Sequence, residues 1–152
     1  KKQLTELERI AAMTQDEAKQ IIIEKVQKEA YHDAAASVLG YKWRMPTASE
    51  WKELLNPDNT TMTWTYIGNA PGYKIQSKKA GYTDNWIFLP AAGYRSLNFL
   101  NFARSACYYW SSSINPTTPD SALNVYMTDS TISDARSEWR CYGYTIRPVL
   151  PK

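Results

Sequence analysis

The stretch Ile87-Phe88-Leu89-Pro90-Ala91-Ala92-Gly93-Tyr94-Arg95, followed by a polar and aromatic run into Cys107-Tyr108-Tyr109-Trp110-Ser111-Ser112-Ser113, constrains this chain more than any other part of it. Ile87, Phe88 and Leu89 form a short apolar run. Pro90 fixes its own φ and lacks an amide donor, which predicts a buried strand that stops there. Gly93 before a Tyr-Arg pair predicts a backbone with φ above zero or the close approach of another segment. Cys107 to Ser113 sets aromatics before hydroxyls, the composition of a half-buried strand running into a hydrogen-bonded turn. No nucleophile, base or metal cluster lies in this stretch.

Around it the chain divides by composition. Of 20 aromatic residues, 19 follow Gly40, which separates an Ala- and Glu-rich leader from an aromatic-rich body. A length of 152 residues fits one domain plus an appendage. Through Gly40 there are six Lys/Arg and seven Asp/Glu, leaving twelve and eight in the body, a net of +4. That balance is too mild to imply nucleic acid. Cys107 and Cys141 are the only cysteines and His32 the only histidine, so neither a zinc site nor a histidine-based phosphohydrolase can be assembled. In an exported protein the two cysteines can pair, which would stabilise by roughly 3 to 4 kcal/mol if unstrained. The other reading is two partly buried free thiols. No apolar run reaches the ~20 residues of a membrane span. There is no signal-peptide pattern, and Lys rather than Met at position 1 fits a processed or partial sequence.

Leu4, Leu7, Ile10 and Ala11, then Ala18, Ile21, Ile22, Val26 and Ala30, follow helical spacing with Met13-Thr14 as an interruption. This predicts two helices. Thr14 and Glu17 read as a capping box for the second, which begins near Gln15, and Gly40 as its terminator. Thr47 and Glu50 have the same spacing before Trp51, Leu54 and Leu55, a helix that Asn56-Pro57-Asp58-Asn59 ends. Arg44 and Glu50 read either as an acid/base or ligand pair or, the reading preferred, as an ion pair fixing the loop before that helix. Thr60 to Tyr82 reads as strand, with Pro71-Gly72 and Gly81 as turns. Asp84-Asn85-Trp86 is not taken as a cation site. Ser96 to Ala106 is an apolar-aromatic loop, Asn115 to Asp120 a loop, Ala122 to Tyr126 a strand and Thr128 to Ser137 a polar segment. Gly143 to Val149 is the closing strand, with Arg147 anchoring it on a carboxylate or carbonyls.

The blocks Trp43-Arg44-Met45-Pro46-Thr47, Glu50-Trp51, Ile87 to Arg95, Tyr109-Trp110-Ser111-Ser112 and Arg147-Pro148-Val149 resemble, in order, the Fibrobacter succinogenes major paralogous domain, a family abundant in Bacteroidetes surface lipoproteins. That family is similar to C-type-lectin-like folds, including formylglycine-generating enzymes and the variable proteins of diversity-generating retroelements. The resemblance runs from about Tyr31 to Val149. It implies an α+β fold, two helices on a small twisted antiparallel sheet with long loops, preceded by a helical leader. The expected boundaries are 1–27 for the leader and 28–152 for the lectin-like domain. Leu7-Glu8-Arg9-Ile10, Met13-Thr14, Glu17-Ala18-Lys19 and His32-Asp33-Ala34-Ala35 resemble the helical segment of bacterial ribonuclease Y between its coiled coil and RNA-binding domain. None of that enzyme's nuclease or RNA-binding blocks follows.

The resemblance implies a non-catalytic binding module at the cell surface, with a protein or glycan partner and no cofactor or metal. Candidate contact residues are Asn98, Phe99, Asn101, Phe102, Arg104, Tyr108, Arg136, Trp139, Arg140 and Tyr142, because Tyr and Trp give large contacts at low entropy cost while small polar residues adapt. Trp43, Arg44, Glu50, Trp51, Gly93, Arg95, Trp110 and Arg147 are the expected structural set. A formylglycine-generating enzyme is disfavoured, since those use a closely spaced cysteine pair and Cys107 and Cys141 lie 34 positions apart. The remaining alternative is a cytoplasmic protein in which an RNA-metabolism helix is fused to an interaction scaffold.

Overall fold

The computed structural model describes residues 17, 19–21 and 33–150, and residues 17 and 19–21 are helical. The other expected leader positions lie outside the described residues. Helix α1 spans Ala34–Leu39. Asp33 caps it in an extended conformation (φ −93°, ψ 116°), and its Oδ1 accepts from the amides of Ala35 and Ala36. This corrects the expected helix running unbroken from Gln15 to Leu39, because the Asp33 carboxylate competes for the backbone amides and starts a new helix. Its other oxygen accepts from the Met45 amide at 2.8 Å, which ties α1 to the body. Gly40, at φ +90°, ends the helix as expected.

Helix α2 spans Ala48–Leu54 behind the expected capping box of Thr47 and Glu50. Glu50 also takes both arms of the Arg44 guanidinium, at 2.7 and 2.5 Å, so the pair fixes the loop before the helix. α2 buries Trp51, whose indole N–H donates to the Trp110 carbonyl at 3.3 Å.

The strands are all antiparallel and fall into separate sheets rather than one. β1 (Thr60–Ile67), β2 (Ala70–Ser77) and β3 (Trp86–Pro90) form the first. β4 (Tyr94–Ser96) and β5 (Phe99–Asn101) form a hairpin. β6 (Cys107–Ile114), β7 (Ser121–Met127) and β8 (Ile132–Trp139) form the third. The architecture is thus α+β, mostly antiparallel sheet with short helices.

Four details depart from expectation. The turn of the first hairpin is Gly68-Asn69, with Gly68 at φ +57°, and Pro71-Gly72 lies inside β2. Gly72 is there for a close approach, since a Cβ at that position would fall on the Leu89 carbonyl of β3. The loop from Ser96 contains β5, and the polar segment after Thr128 contains β8. Gly143 to Val149 forms no continuous strand. It is held by isolated bridges of Gly143 to Arg95, Thr145 to Tyr109 and Val149 to Arg44.

The main core lies where α2 and the two larger sheets meet. It gathers Trp51, Leu55, Tyr73, Ile75, Leu89, Cys107, Tyr109, Val125 and Met127. Full burial of a side chain such as Leu89, Val125 or Met127 stabilises by roughly 1.5–3 kcal/mol. Cys107 and Cys141 are both free thiols, Cys107 buried and Cys141 exposed, so the two do not pair. No helix among the described residues is long and apolar enough to cross a membrane.

Candidate binding face

Strand alternation gives β6 two unlike sides. Cys107 and Tyr109 enter the main core, whereas Tyr108 and Trp110 join a second cluster with Ala106, Ala122 and Tyr144. Tyr94, on β4, sits at the middle of that cluster. Its ring meets Tyr108 at 4.8 Å, Tyr144 at 5.4 Å and Tyr142 at 5.5 Å, all edge-on, and stacks with Phe102 at 6.2 Å. Edge-on and offset contacts of this kind contribute beyond the area they bury. Trp110 stacks on Tyr144 at 4.4 Å, and its indole N–H donates to the Tyr142 carbonyl. Tyr126 meets Tyr108 at 5.1 Å, and the Arg136 guanidinium lies 4.6 Å above the Tyr126 ring while pairing with Glu138 at 3.0 Å.

The hydroxyls distinguish the two sides. Tyr73 and Tyr109, in the main core, donate to the carbonyls of Thr128 and Pro90. Tyr94, Tyr108, Tyr126, Tyr142 and Tyr144 have no hydroxyl partner among the described residues. Burial pushes the Tyr108 hydroxyl up to about 12, helped by Tyr126 and Tyr94, and it pushes Tyr144 up as well. These groups therefore stay protonated and act as neutral donors and acceptors. Asn124, opposite both Trp110 and Arg136, donates from Nδ2 to the Arg136 carbonyl, and its Oδ1 is buried without a partner among the described residues.

Beside this cluster the β4–β5 hairpin and the residue after it carry exposed apolar side chains, with Phe99 on the face of Tyr94 and Leu100 on the other. Leu97 is 91% exposed, Phe99 71%, Phe102 59% and Leu100 55%. Leu97, in the two-residue turn of the hairpin, and Phe102 and Arg104, beside Gly93, all hold positive φ, which is uncommon for non-glycine residues; the last two lie among close backbone contacts. Those contacts are visible. Gly93, at φ +68°, has no room for a Cβ, which would fall on the Asn101 carbonyl. The Gly93 amide donates to Ala106, the Arg104 amide to Ala91, and Arg95 exchanges both backbone bonds with Gly143. The hairpin is thus pinned at its base while its apolar side chains point outward.

The structure brings together only part of the expected contact set. Phe102, Tyr142 and Arg136 ring the aromatic cluster, and Phe99 and Asn101 share a hairpin face with Tyr94 by register. Asn98 and Arg104 are exposed near the hairpin. Tyr108 is corrected from contact residue to packing residue, since it is only 8% exposed. Trp139 is exposed, but alternation along β8 sets it on the opposite side from Arg136 and Glu138. Arg140 lies apart, lining a smaller concavity with Asp33 and Trp110. Among the expected structural residues, Trp43 is half-buried and Arg95 is exposed, acting through its backbone. Arg147 is also corrected: it is exposed and has no hydrogen bond or ion pair among the described residues, because backbone bridges do the anchoring. Sequence reasoning missed Tyr94, Tyr126, Tyr144, Leu97 and Leu100. The alternation of Tyr142 and Tyr144 with Gly143 was the available signal for one of them.

No group of three or more potential metal ligands occurs among the described residues. A family model, the RNase Y N-terminal region, matches residues 1–48, just under a third of the 152-residue chain. The match ends at Ala48, the first residue of α2, and so includes α1. No solved structure matches the chain.

Proposed function

We propose that this chain is a non-catalytic binding module of C-type-lectin-like build, displayed at the cell surface, that recognises a protein partner through the hairpin and tyrosine face. The observation that carries this reading is the exposure of Leu97, Phe99 and Phe102 beside Tyr94, on and next to a hairpin whose base is fixed by Gly93 and the Arg95–Gly143 bridges. Exposed large apolar side chains grouped this way mark interaction surfaces. The adjoining tyrosines supply the rigid amphipathic contact area typical of recognition loops. A rigid hairpin also loses little conformational freedom on binding. The test is a surface-display screen against a protein library, run beside a glycan array. Hits from the library should be lost in Phe99→Ala and Leu97→Ala variants that melt like the parent. Hits confined to the glycan array, or hits indifferent to both variants, would reject the protein-partner reading.

The match to the RNase Y N-terminal region favours a second reading, in which an RNA-metabolism leader carries this domain as an interaction scaffold in the cytoplasm. Fractionation of the native host separates the two, because a cytosolic pool associated with RNA-processing complexes fits only the second.

A further inference from the structure

The outer strands of the three sheets differ in how their free edges are closed. β8 carries Asp134, Arg136 and Glu138 and a break in register beside Asn124. The outer side of β6 takes the Thr145 backbone and the Pro46 carbonyl. β4 and β5 have three residues each, and β4 is bridged to Gly143. β3 has five and ends in Pro90, whose carbonyl accepts the Tyr109 hydroxyl. Charge, bulges, proline, shortness and cover are the usual protections of a sheet edge. β1 has none of them among the described residues. Its eight residues, Thr60-Thr61-Met62-Thr63-Trp64-Thr65-Tyr66-Ile67, pair with β2 without a break and contain neither charge nor proline.

The phase of the β1–β2 ladder fixes which backbone groups are left over. A two-residue turn makes the closing pair, Ile67 and Ala70, a hydrogen-bonded one, and bonded pairs then recur at every second residue. Ile67, Thr65, Thr63 and Thr61 therefore spend their amides and carbonyls on β2, while Tyr66, Trp64 and Met62 turn theirs outward. The β3 side agrees with this phase, since the Pro71 carbonyl, opposite Tyr66, accepts from the Ala91 amide on the far side of β2. The Thr60 amide is taken by the Asn56 carbonyl. The backbone groups of Met62, Trp64 and Tyr66 have no partner among the described residues. Their side chains share one face, where Met62 and Trp64 lie half-buried against the main core and Tyr66 is 63% exposed.

We propose that β1 is a dimerisation edge, to which β1 of a second copy of this chain adds in antiparallel register about a two-fold axis at Trp64. In that register Trp64 meets its own counterpart and Met62 meets Tyr66 of the second copy, so each pair exchanges both backbone bonds and every outward group is satisfied. On the other face Thr63 falls opposite Thr65 of the second copy, a favourable cross-strand pair, and no like charges meet. The strand is thus complementary to itself. An extended peptide of another protein would meet the same backbone groups, but a row of threonines gives its side chains little to distinguish, whereas recognition of that kind draws specificity from pockets for alternate side chains. This edge belongs to a different sheet from the hairpin and does not depend on the function proposed there.

The experiment is sedimentation velocity of the full chain from micromolar to millimolar concentration, beside residue-resolved amide hydrogen exchange. The parent should reach a dimer in which the amides of Met62, Trp64 and Tyr66 are protected from exchange. Tyr66→Pro removes an outward amide without touching a β1–β2 bond, and Thr63→Lys combined with Thr65→Lys sets like charges opposite one another. Each should raise the dimer dissociation constant about tenfold or more while keeping a cooperative melt. Phe99→Ala should leave the constant unchanged. The proposal is overturned by a parent that stays monomeric at millimolar concentration, by a dimer that survives both β1 variants or leaves those amides freely exchanging, or by a dimer that Phe99→Ala dissociates.

Discussion

The two sides of the β6–β7–β8 sheet are built from neighbouring residues in the same strands and have opposite characters. On one side Cys107, Tyr109, Val125 and Met127 are covered by α2 and the first sheet, and the Tyr109 hydroxyl donates to the Pro90 carbonyl. On the other, Tyr108, Trp110 and Tyr126 are covered by other aromatic rings, and the tyrosine hydroxyls have no partner among the described residues. The first side is a closed core. The second is closed at its base and open at its rim, where the hairpin presents Leu97, Phe99 and Leu100 to solvent. One sheet thus buries one set of alternate residues in a closed core and gives the other to an aromatic cluster with an open rim.

Substitutions on the closed side should cost most. Trp51→Ala removes a ring 2% exposed and the hydrogen bond to Trp110, so a loss of about 3–5 kcal/mol in denaturant unfolding is expected. Gly93→Val should be at least as damaging, since a Cβ there overlaps backbone and the positive φ disfavours a β-branched residue. Trp110→Ala, on the second side, should fall near the lower end of the same range, about 3 kcal/mol. Equal tolerance of Trp51→Ala and Phe99→Ala would erase the distinction between closed core and open rim.

Acid sensitivity should come from outside both clusters. The hydrogen bonds from Arg44 hold the Glu50 carboxyl down to about 2 from an ordinary value near 4.5, against burial, which acts the other way. A carboxyl depressed in the folded state contributes stability above its unfolded value and loses it as pH falls through the folded one. Stability should therefore decline as pH drops from about 4.5 to about 2, and Glu50→Gln should flatten that part of the profile. A parent and variant with the same acid limb would show that the pair has no stabilising role.

The smallest effect is chemical rather than energetic. Burial pushes the Cys107 thiol up to about 12, and its Sγ lies 3.5 Å from the Leu89 carbonyl. A thiol reagent should modify Cys141 in the native protein and reach Cys107 only on unfolding. Rapid native labelling of Cys107 would mean that the closed side opens.

What the sequence disclosed was local chemistry. The Thr47–Glu50 box, the Gly40 terminator, the stop at Pro90 and the special backbone at Gly93 each follow from a residue's own geometry, and all four appear. What it concealed depends on distant partners. Pro71-Gly72 has the composition of a turn, yet β3 packs against it and makes it strand. β8 carries Asp134, Arg136 and Glu138 because it is an outer strand of its sheet, and such strands read as loop when judged by apolar alternation. Phe102 and Arg104 occupy positive φ with no residue signature beside the close approach at Gly93, and Leu97 does so in the two-residue turn between Ser96 and Phe99. Of the candidate site, the hairpin aromatics were visible as composition. Their separation from Trp139 was not, because it rests on where β8 begins and how it alternates.

The most direct test of the two-sided account pairs stability with affinity for Phe99→Ala, using a protein partner returned by the display screen. Phe99 has no ring contact with the aromatic cluster and is 71% exposed. Its truncation should change unfolding by less than about 0.5 kcal/mol while weakening binding by about tenfold or more. If Phe99→Ala instead destabilises the protein as much as Trp110→Ala and leaves affinity unchanged, the hairpin belongs to the core and the second side of the sheet is not a recognition surface.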